Sequence, residues 1–215
     1  MGGETVSATV PSRREERRDE RRDLILDVAR DCFLAEGYAA TSMSTIAAKL
    51  GGSKGTLYNY FKSKEELFAA VMQRQCGALA ETLFDVAHDG DTPRERLEHF
   101  ADSFLRLLLT PESRGIHRLV VGESERFPEI GQLFYDLGPK VLLTKIGGYL
   151  ADLMERGILR RADPFMAAQQ FKDLAISGVL HPRIWGVVTE DMTGEEMEAQ
   201  VRQAVDTFLR AYRPD

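Results

Sequence analysis

Residues 41–64, TSMSTIAAKLGGSKGTLYNYFKSK, constrain this chain more tightly than any other stretch, because they read as two short helices joined by a glycine turn. Ser42 is placed to cap the first helix, its hydroxyl accepting from an amide that has no partner within the helix. Met43, Ile46, Ala47 and Leu50 then recur at three- and four-residue spacing, which makes one apolar helical face. Gly51-Gly52 ends that helix, since glycine accepts the positive φ of a tight turn, and Ser53 caps the next. In the second helix, Lys54 to about Tyr60, Leu57 and the following Phe61 are the inward anchors. Lys54, Gly55, Thr56, Tyr58, Asn59 and Tyr60 are left facing outward, a mixture of donors, acceptors and flat rings suited to phosphates and base edges in a major groove. Two short helices about a glycine turn are the helix-turn-helix pattern.

Charge agrees with that placement. The 215-residue chain has a formal net charge of -6, so any nucleic-acid contact has to come from a local patch. Between Gly37 and Lys64 there is no Asp or Glu, whereas Lys49, Lys54, Lys62 and Lys64 all fall there. A lysine cluster by itself is usually a solvated surface. Its coincidence with the turn motif favours a DNA-facing surface, with Ser42, Ser44, Ser53, Lys54, Gly55, Thr56, Tyr58, Asn59, Tyr60 and Lys64 as the contact set.

Around this core stand Ala29, Phe33, Gly37-Tyr38, Thr41, Ile46-Ala47, Gly51, Ser53, Lys54-Gly55-Thr56-Leu57-Tyr58, Tyr60-Phe61, Lys62, Lys64 and Leu67. On these residues the first third of the chain resembles the DNA-binding domain of the TetR/AcrR family of bacterial transcriptional regulators. Gly52 stands where that family usually has a small branched apolar residue, and Tyr60 where histidine is frequent.

The lead-in is polarised. Residues 1–12 are small, polar and unpatterned, which predicts disorder. In residues 13–23, RREERRDERRD, a pitch of ~100° per residue puts Arg13, Arg14, Arg17, Arg18, Arg21 and Arg22 on one half of a helix and the acids on the other. Two readings stay open: a solvated, salt-bridged or frayed lead-in, or a DNA-contacting arm. From Leu24 onward, Ile25, Val28, Ala29, Cys32 and Phe33 form an apolar stripe that Gly37 ends. Cys32 and Cys76 have neither metal nor disulfide spacing, so they are expected to pack as small hydrophobes in a reducing cytoplasm. No signal peptide and no run of ~20 apolar residues is visible, so a cytoplasmic protein without a membrane partner is expected.

Beyond the reader, every strong signal is helical. Ser63 and Glu66 form a capping box for a long helix through Leu67, Phe68, Val71, Leu79, Leu83 and Val86, ending near Asp89-Gly90. Thr92-Pro93, Thr110-Pro111 and Asp163-Pro164 each pair a cap with proline in the first turn, and Thr193 caps a last helix. A segment from Ile130 to Gly157 is expected to kink at Gly138-Pro139, and the helix after Pro164 to run through Phe171 and Leu174 to Val179. Glu123, Phe127-Pro128, Gly157, Asp163-Pro164, Ala167-Ala168 and Phe171 make this body similar to the AefR-like branch of the same family. That resemblance implies a homodimer built on the last two long helices and an effector cavity among the middle ones.

The expected architecture is all-α. A basic and acidic arm at 1–20, disordered or partly helical, precedes a helix-turn-helix DNA-binding domain at 21–68 and a helical effector-binding and dimerisation domain at 69–215. Enzymatic function finds no motif: His88, His99, His117 and His181 lack metal-ligand spacing, and neither a phosphate-cradling glycine loop nor a nucleophile motif occurs. No catalytic residue, metal or cofactor is implied. Polar and aromatic residues interrupting apolar faces, namely Phe104, His117, Glu123, Phe134, Tyr135, Gln170, Asp173 and Trp185, are the effector candidates. As a set they suggest an apolar cavity with few anchors and a small lipophilic or aromatic effector. The function expected is a ligand-responsive homodimeric repressor on palindromic double-stranded operator DNA, the alternative being an activator or organiser without a ligand.

Overall fold

The computed structural model describes the backbone of residues 12–85 and 92–214 and, within them, all side chains except those of residue 15 and residues 78–85. The expectations for residues 1–11, for Val86 and His88, and for the helix end near Asp89-Gly90 lie outside the described residues. All described regular structure is helical, in two compact units, Met1–Val71 and Met72–Asp215.

The first unit holds α1 (Arg13–Ala40), α2 (Met43–Lys49), α3 (Lys54–Tyr60) and the start of α4 (Lys64–Asp85). Within α1, Gly37 leaves the helical region at φ 81°, ψ 163°, so the helix breaks where the sequence places its end and one further turn follows. Thr41 closes that turn from inside: its buried hydroxyl bonds the Gly37 carbonyl at 2.7 Å and reaches the Cys32 carbonyl at 3.2 Å. Leu26 is buried and Leu24 is not, so the apolar face of α1 is centred on Ile25, Leu26, Ala29, Cys32 and Phe33. Phe33, Tyr38 and Phe68 form a ring cluster with centroids 5.0–5.7 Å apart that packs α1 against α4. Both cysteine thiols are free and buried, and burial raises their pKa values, that of Cys76 to about 11, as inert packing residues require.

The second unit contains the rest of α4 and α5 (Pro93–Leu108), α6 (Pro111–Glu123), α7 (Pro128–Leu137), α8 (Pro139–Glu155), α9 (Pro164–Ile176), α10 (Leu180–Ile184) and α11 (Gly194–Tyr212). Thr92, Thr110, Asp163 and Thr193 each accept a hydrogen bond from an amide in the first turn of the helix they precede. The expected kink is a full break, with Gly138 at φ −113°, ψ −87° between α7 and α8. α5, α8, α9 and α11 share one core, in which Leu97, Phe100, Ile146, Leu150, Ala168, Phe171, Val205 and Phe208 are buried.

Three features differ from the sequence reading. α9 stops at Ile176 rather than Val179, because Ser177 turns to ψ 125° and Gly178 takes φ 73°. The Gln200 amide of α11 covers that end, donating to the carbonyls of Leu174, Ala175 and Ser177 at 3.0–3.2 Å. α10 was not anticipated, being five residues long with Pro182 inside it. At the start of α4, Ser63 accepts from the Glu66 amide at 3.2 Å, but the Glu66 carboxylate accepts from the Lys62 amide at 2.6 Å, one residue before the cap.

Phe171 is fully buried, with ring centroids 5.8 Å from Phe100 and 5.0 Å from Phe208. Phe171→Ala is expected to cost about 3–5 kcal/mol, read as a lower urea midpoint for the second unit.

Candidate nucleic-acid interface

Leu57 fixes the orientation of α3. It is 2% exposed while Lys54, Gly55, Thr56, Tyr58 and Asn59 are exposed around it and Tyr60 is half-buried. Leu57 and Phe61 therefore seat the helix, and its remaining side chains form an outer polar face. Ser42 and Ser44 are exposed on and before α2, and Ser53 is exposed at the start of α3.

Two serines of the expected contact set have a structural task. Ser42 Oγ accepts from the Thr45 amide at 3.1 Å and pairs with Thr45 Oγ1 at 2.9 Å. Ser53 does the same with Thr56, at 3.1 Å and 2.9 Å. At the other end of α3, Lys62 Nζ donates to the Tyr58 carbonyl at 3.2 Å. Lys64 is half-buried, its ammonium donating to the Tyr38 carbonyl at 2.8 Å and lying 4.2 Å from the centre of the Tyr38 ring. Tyr38 in turn donates to Glu65 at 3.3 Å. The Glu65 carboxyl is held below its ordinary pKa by its own backbone amide first and then by the Ser63 hydroxyl. Lys49 is neutralised by Glu36, at 2.8 Å, from the other side of the acid-free stretch.

Thr56, Asn59 and Tyr60 do not stand alone. Together with Ser12, Arg14, Arg17 and Arg18 they line one cleft of about 750 Å³ within the first unit. Helical pitch places these arginines on one side of α1, but pitch does not show that they share a cleft with α3.

The effector candidates lie in the second unit. His117 and Phe134 meet edge to face at 5.3 Å, and burial pushes the His117 imidazole below its ordinary pKa while its Nδ1 is 2.9 Å from the Ser113 carbonyl. Phe104 is a core residue stacked on Phe100 at 5.8 Å. Glu123 is half-buried at the end of α6. Tyr135, Gln170, Asp173 and Trp185 are exposed in the single chain. Gln170 accepts from the Tyr212 hydroxyl at 2.6 Å, and Asp173 pairs with Lys172 at 2.8 Å, which gives both polar groups local work. Among the described residues, no three His, Cys, Asp or Glu side chains gather as a metal would require.

Two short capped helices about a positive-φ glycine, the second seated by one buried leucine with its polar face outward, define a helix-turn-helix DNA-binding protein. Residues 25–71 match the profile of bacterial regulatory proteins of the tetR family, and residues 95–214 match that of the AefR-like transcriptional repressor C-terminal domain. The chain belongs to the TetR family, with an AefR-like C-terminal domain, and is a DNA-binding transcriptional regulator rather than an enzyme. It is similar to the flavonoid-responsive regulator FrrA, at 32% identity over 91% of this chain and 98% of that one, with a TM-score of 0.79. It also resembles the HTH-type transcriptional repressor Rv3405c of Mycobacterium tuberculosis, at 28% identity over 94% of each chain. The HTH-type transcriptional activator FasR of Mycolicibacterium smegmatis is 38% identical over 49% of this chain and 48% of its own. No described helix is long and apolar enough to cross a membrane.

The cap geometry separates folding from DNA contact at Ser53. Ser53→Ala is expected to lower stability by about 1 kcal/mol in urea unfolding through loss of the cap. Ser53→Asp keeps an acceptor for the Thr56 amide, so its stability should match wild type, while the added negative charge weakens DNA binding in a gel-shift titration.

Proposed function

We propose that this regulator is a homodimeric, ligand-responsive repressor that blocks transcription by occupying a palindromic operator. Residues 21–68 read DNA, and residues 69–215 bind effector and dimerise. The observation that carries the reading is the outer face of α3: Lys54, Thr56, Tyr58 and Asn59 exposed on a helix that Leu57 holds in place. Tyr58, Thr56 and Lys54 meet base edges or nearby phosphates, and Lys64 holds a phosphate beside the groove. The repressor sign is supported by the AefR-like repressor profile over residues 95–214 and by the full-length similarity to Rv3405c. The similarity to FasR, named an activator, favours a second reading in which the same DNA contact recruits rather than blocks polymerase.

Dimerisation through α9 and α11 is supported by exposed apolar side chains on and after α9: Phe165 and Met166 in its first turn, and Trp185 and Val187 after α10. Trp185 suits an interface better than a cavity, since 71% of it is exposed in one chain. An aromatic or lipophilic effector is supported by the His117–Phe134 pair and by the similarity to FrrA, a regulator named for its response to flavonoids. Induction runs through α4, which starts beside the reader at Lys64 and continues past Val71 into the second unit. Effector and DNA must then weaken each other by the same factor, because coupling between two binding sites is reciprocal.

Operator footprinting with and without effector tests this reading. Protection of two half-sites with centres ~34 Å apart, released by effector, is the expected result. Met166→Glu with Trp185→Glu should sediment as a monomer and lose that paired footprint; a dimer of unchanged affinity overturns the assigned interface. Lys64→Ala should weaken binding to all sequences and flatten the salt dependence by about one unit. An unchanged slope overturns the phosphate role of Lys64.

A further inference from the structure

The arginine face of α1 lies ahead of residue 25, where the family match begins, and the function proposed above makes no use of it. α1 is helical from Arg13, so the arginines keep helical register with the buried stripe that follows. That register carries them along the reader. The nearest terminal nitrogen of Arg21 would lie 3.4 Å from a Cβ built on Gly52, in the turn between α2 and α3. The Arg22 guanidinium lies 5.4 Å from the centre of the Phe61 ring, just after α3. One and two turns earlier, Arg18, Arg17 and Arg14 share the cleft of about 750 Å³ with Thr56, Asn59 and Tyr60.

We propose that Arg14, Arg17 and Arg18 are a second DNA contact, a phosphate-binding wall continuous with the outer face of α3 that holds the backbone flanking the groove α3 reads. The proposal rests on α3 being the DNA-reading helix.

Charge and continuity choose the occupant. One wall of the cleft presents three guanidinium groups, each a planar fork that matches phosphate oxygens, and the other presents a hydroxyl, an amide and a phenol, all able to bond the same oxygens. Among the described side chains no carboxylate lines it, although Glu16, Asp19 and Glu20 are exposed on the same stretch of α1. The two signs are therefore sorted onto different faces of one helix, and the positive face is the one that adjoins α3. At Gly52 an added Cβ would meet the Arg21 guanidinium at 3.4 Å, an ordinary contact with the end of a flexible side chain, so Arg21 lies beside the turn without being crowded by it.

Such a wall adds affinity without base reading. Each phosphate neutralised adds about 0.9 to the slope of log K against log salt, so three arginines add about 2.7 for each subunit bound. The test uses the full-length chain on two duplexes of equal length, one carrying the sequence the wild-type chain selects from a random pool and one of random sequence. Arg14→Ala, Arg17→Ala and Arg18→Ala together should weaken binding to both duplexes alike and lower the slope by about 2.7 per subunit. Alanine is a strong helix former, so α1 keeps its helix in this variant, which far-UV circular dichroism checks. Replacing the same three with lysine should restore most of the slope, because the charge remains. If the alanine variant keeps both the affinity and the slope of wild type, the wall is overturned and the segment is a solvated lead-in. Thr56→Ala with Tyr58→Ala is the separate control: it should erase the preference for the selected duplex while leaving the slope near wild type. A preference that survives that change removes α3 as the reader, and the wall with it, whereas a lost preference beside an inert arginine triple overturns the wall alone.

Discussion

Helices of seven residues do not hold themselves together in water, because the cost of nucleation is spread over too few hydrogen bonds. α2 and α3 are both that short, so the reading surface depends on their packing against each other and on the contact of α2 with α1. α1 is in turn joined to α4 by the ring cluster of Phe33, Tyr38 and Phe68, flanked by the buried Thr41 hydroxyl on one side and the Lys64 contact to the Tyr38 carbonyl on the other. The first turn of α4 is thereby part of the reader rather than a tether to it. A displacement of that turn moves Tyr38, and through Tyr38 the end of α1.

Electrostatics is arranged helix by helix. α2 and α3 are capped by neutral serines and carry no acid in their first turns, so the positive ends of their dipoles are left uncompensated. α4, α5 and α11 do the opposite, with Glu65 and Glu66, Glu95, and Glu195 and Glu196 in the equivalent turns. An acidic protein can bind a polyanion when its repulsive charge is kept off one face, and here the choice of capping residue does part of that sorting.

Much of this was legible because the deciding chemistry is local. A cap followed by proline announces α5, α6 and α9, and Gly51 and Gly138 mark breaks through backbone freedom that no periodicity is needed to see. What stayed hidden depends on a second element. The apolar spacing of Leu174 and Val179 continues past the true end of α9, where the backbone turns at Ser177 and Gly178 and Gln200 of α11 covers the last carbonyls. α10 is too short to show a period. Leu24 and Leu26 are the same residue type two positions apart, and only the packing around α1 decides that Leu26 is the buried one. The local partners of two effector candidates were hidden for a related reason: Gln170 and Asp173 interrupt an apolar pattern as cavity residues would, yet one steadies Tyr212 and the other pairs with its neighbour. The cleft between α1 and α3 was hidden likewise, since helical pitch ranks faces but does not say which face meets which helix.

One further property follows from the break between α7 and α8. A Cβ on Gly138 would stand 3.3 Å from the Cys76 sulfur and 3.3 Å from the Phe134 carbonyl, so α4 rests on this break with no side chain between. Burial raises the Cys76 thiol's pKa to about 11, so it is held as the thiol at neutral pH, and alkylating reagents attack the thiolate. The sulfur therefore behaves as a clock for separation of α4 from the α7–α8 break. Its rate of capture by a small electrophile measures how often that contact opens, without any label being added to the protein.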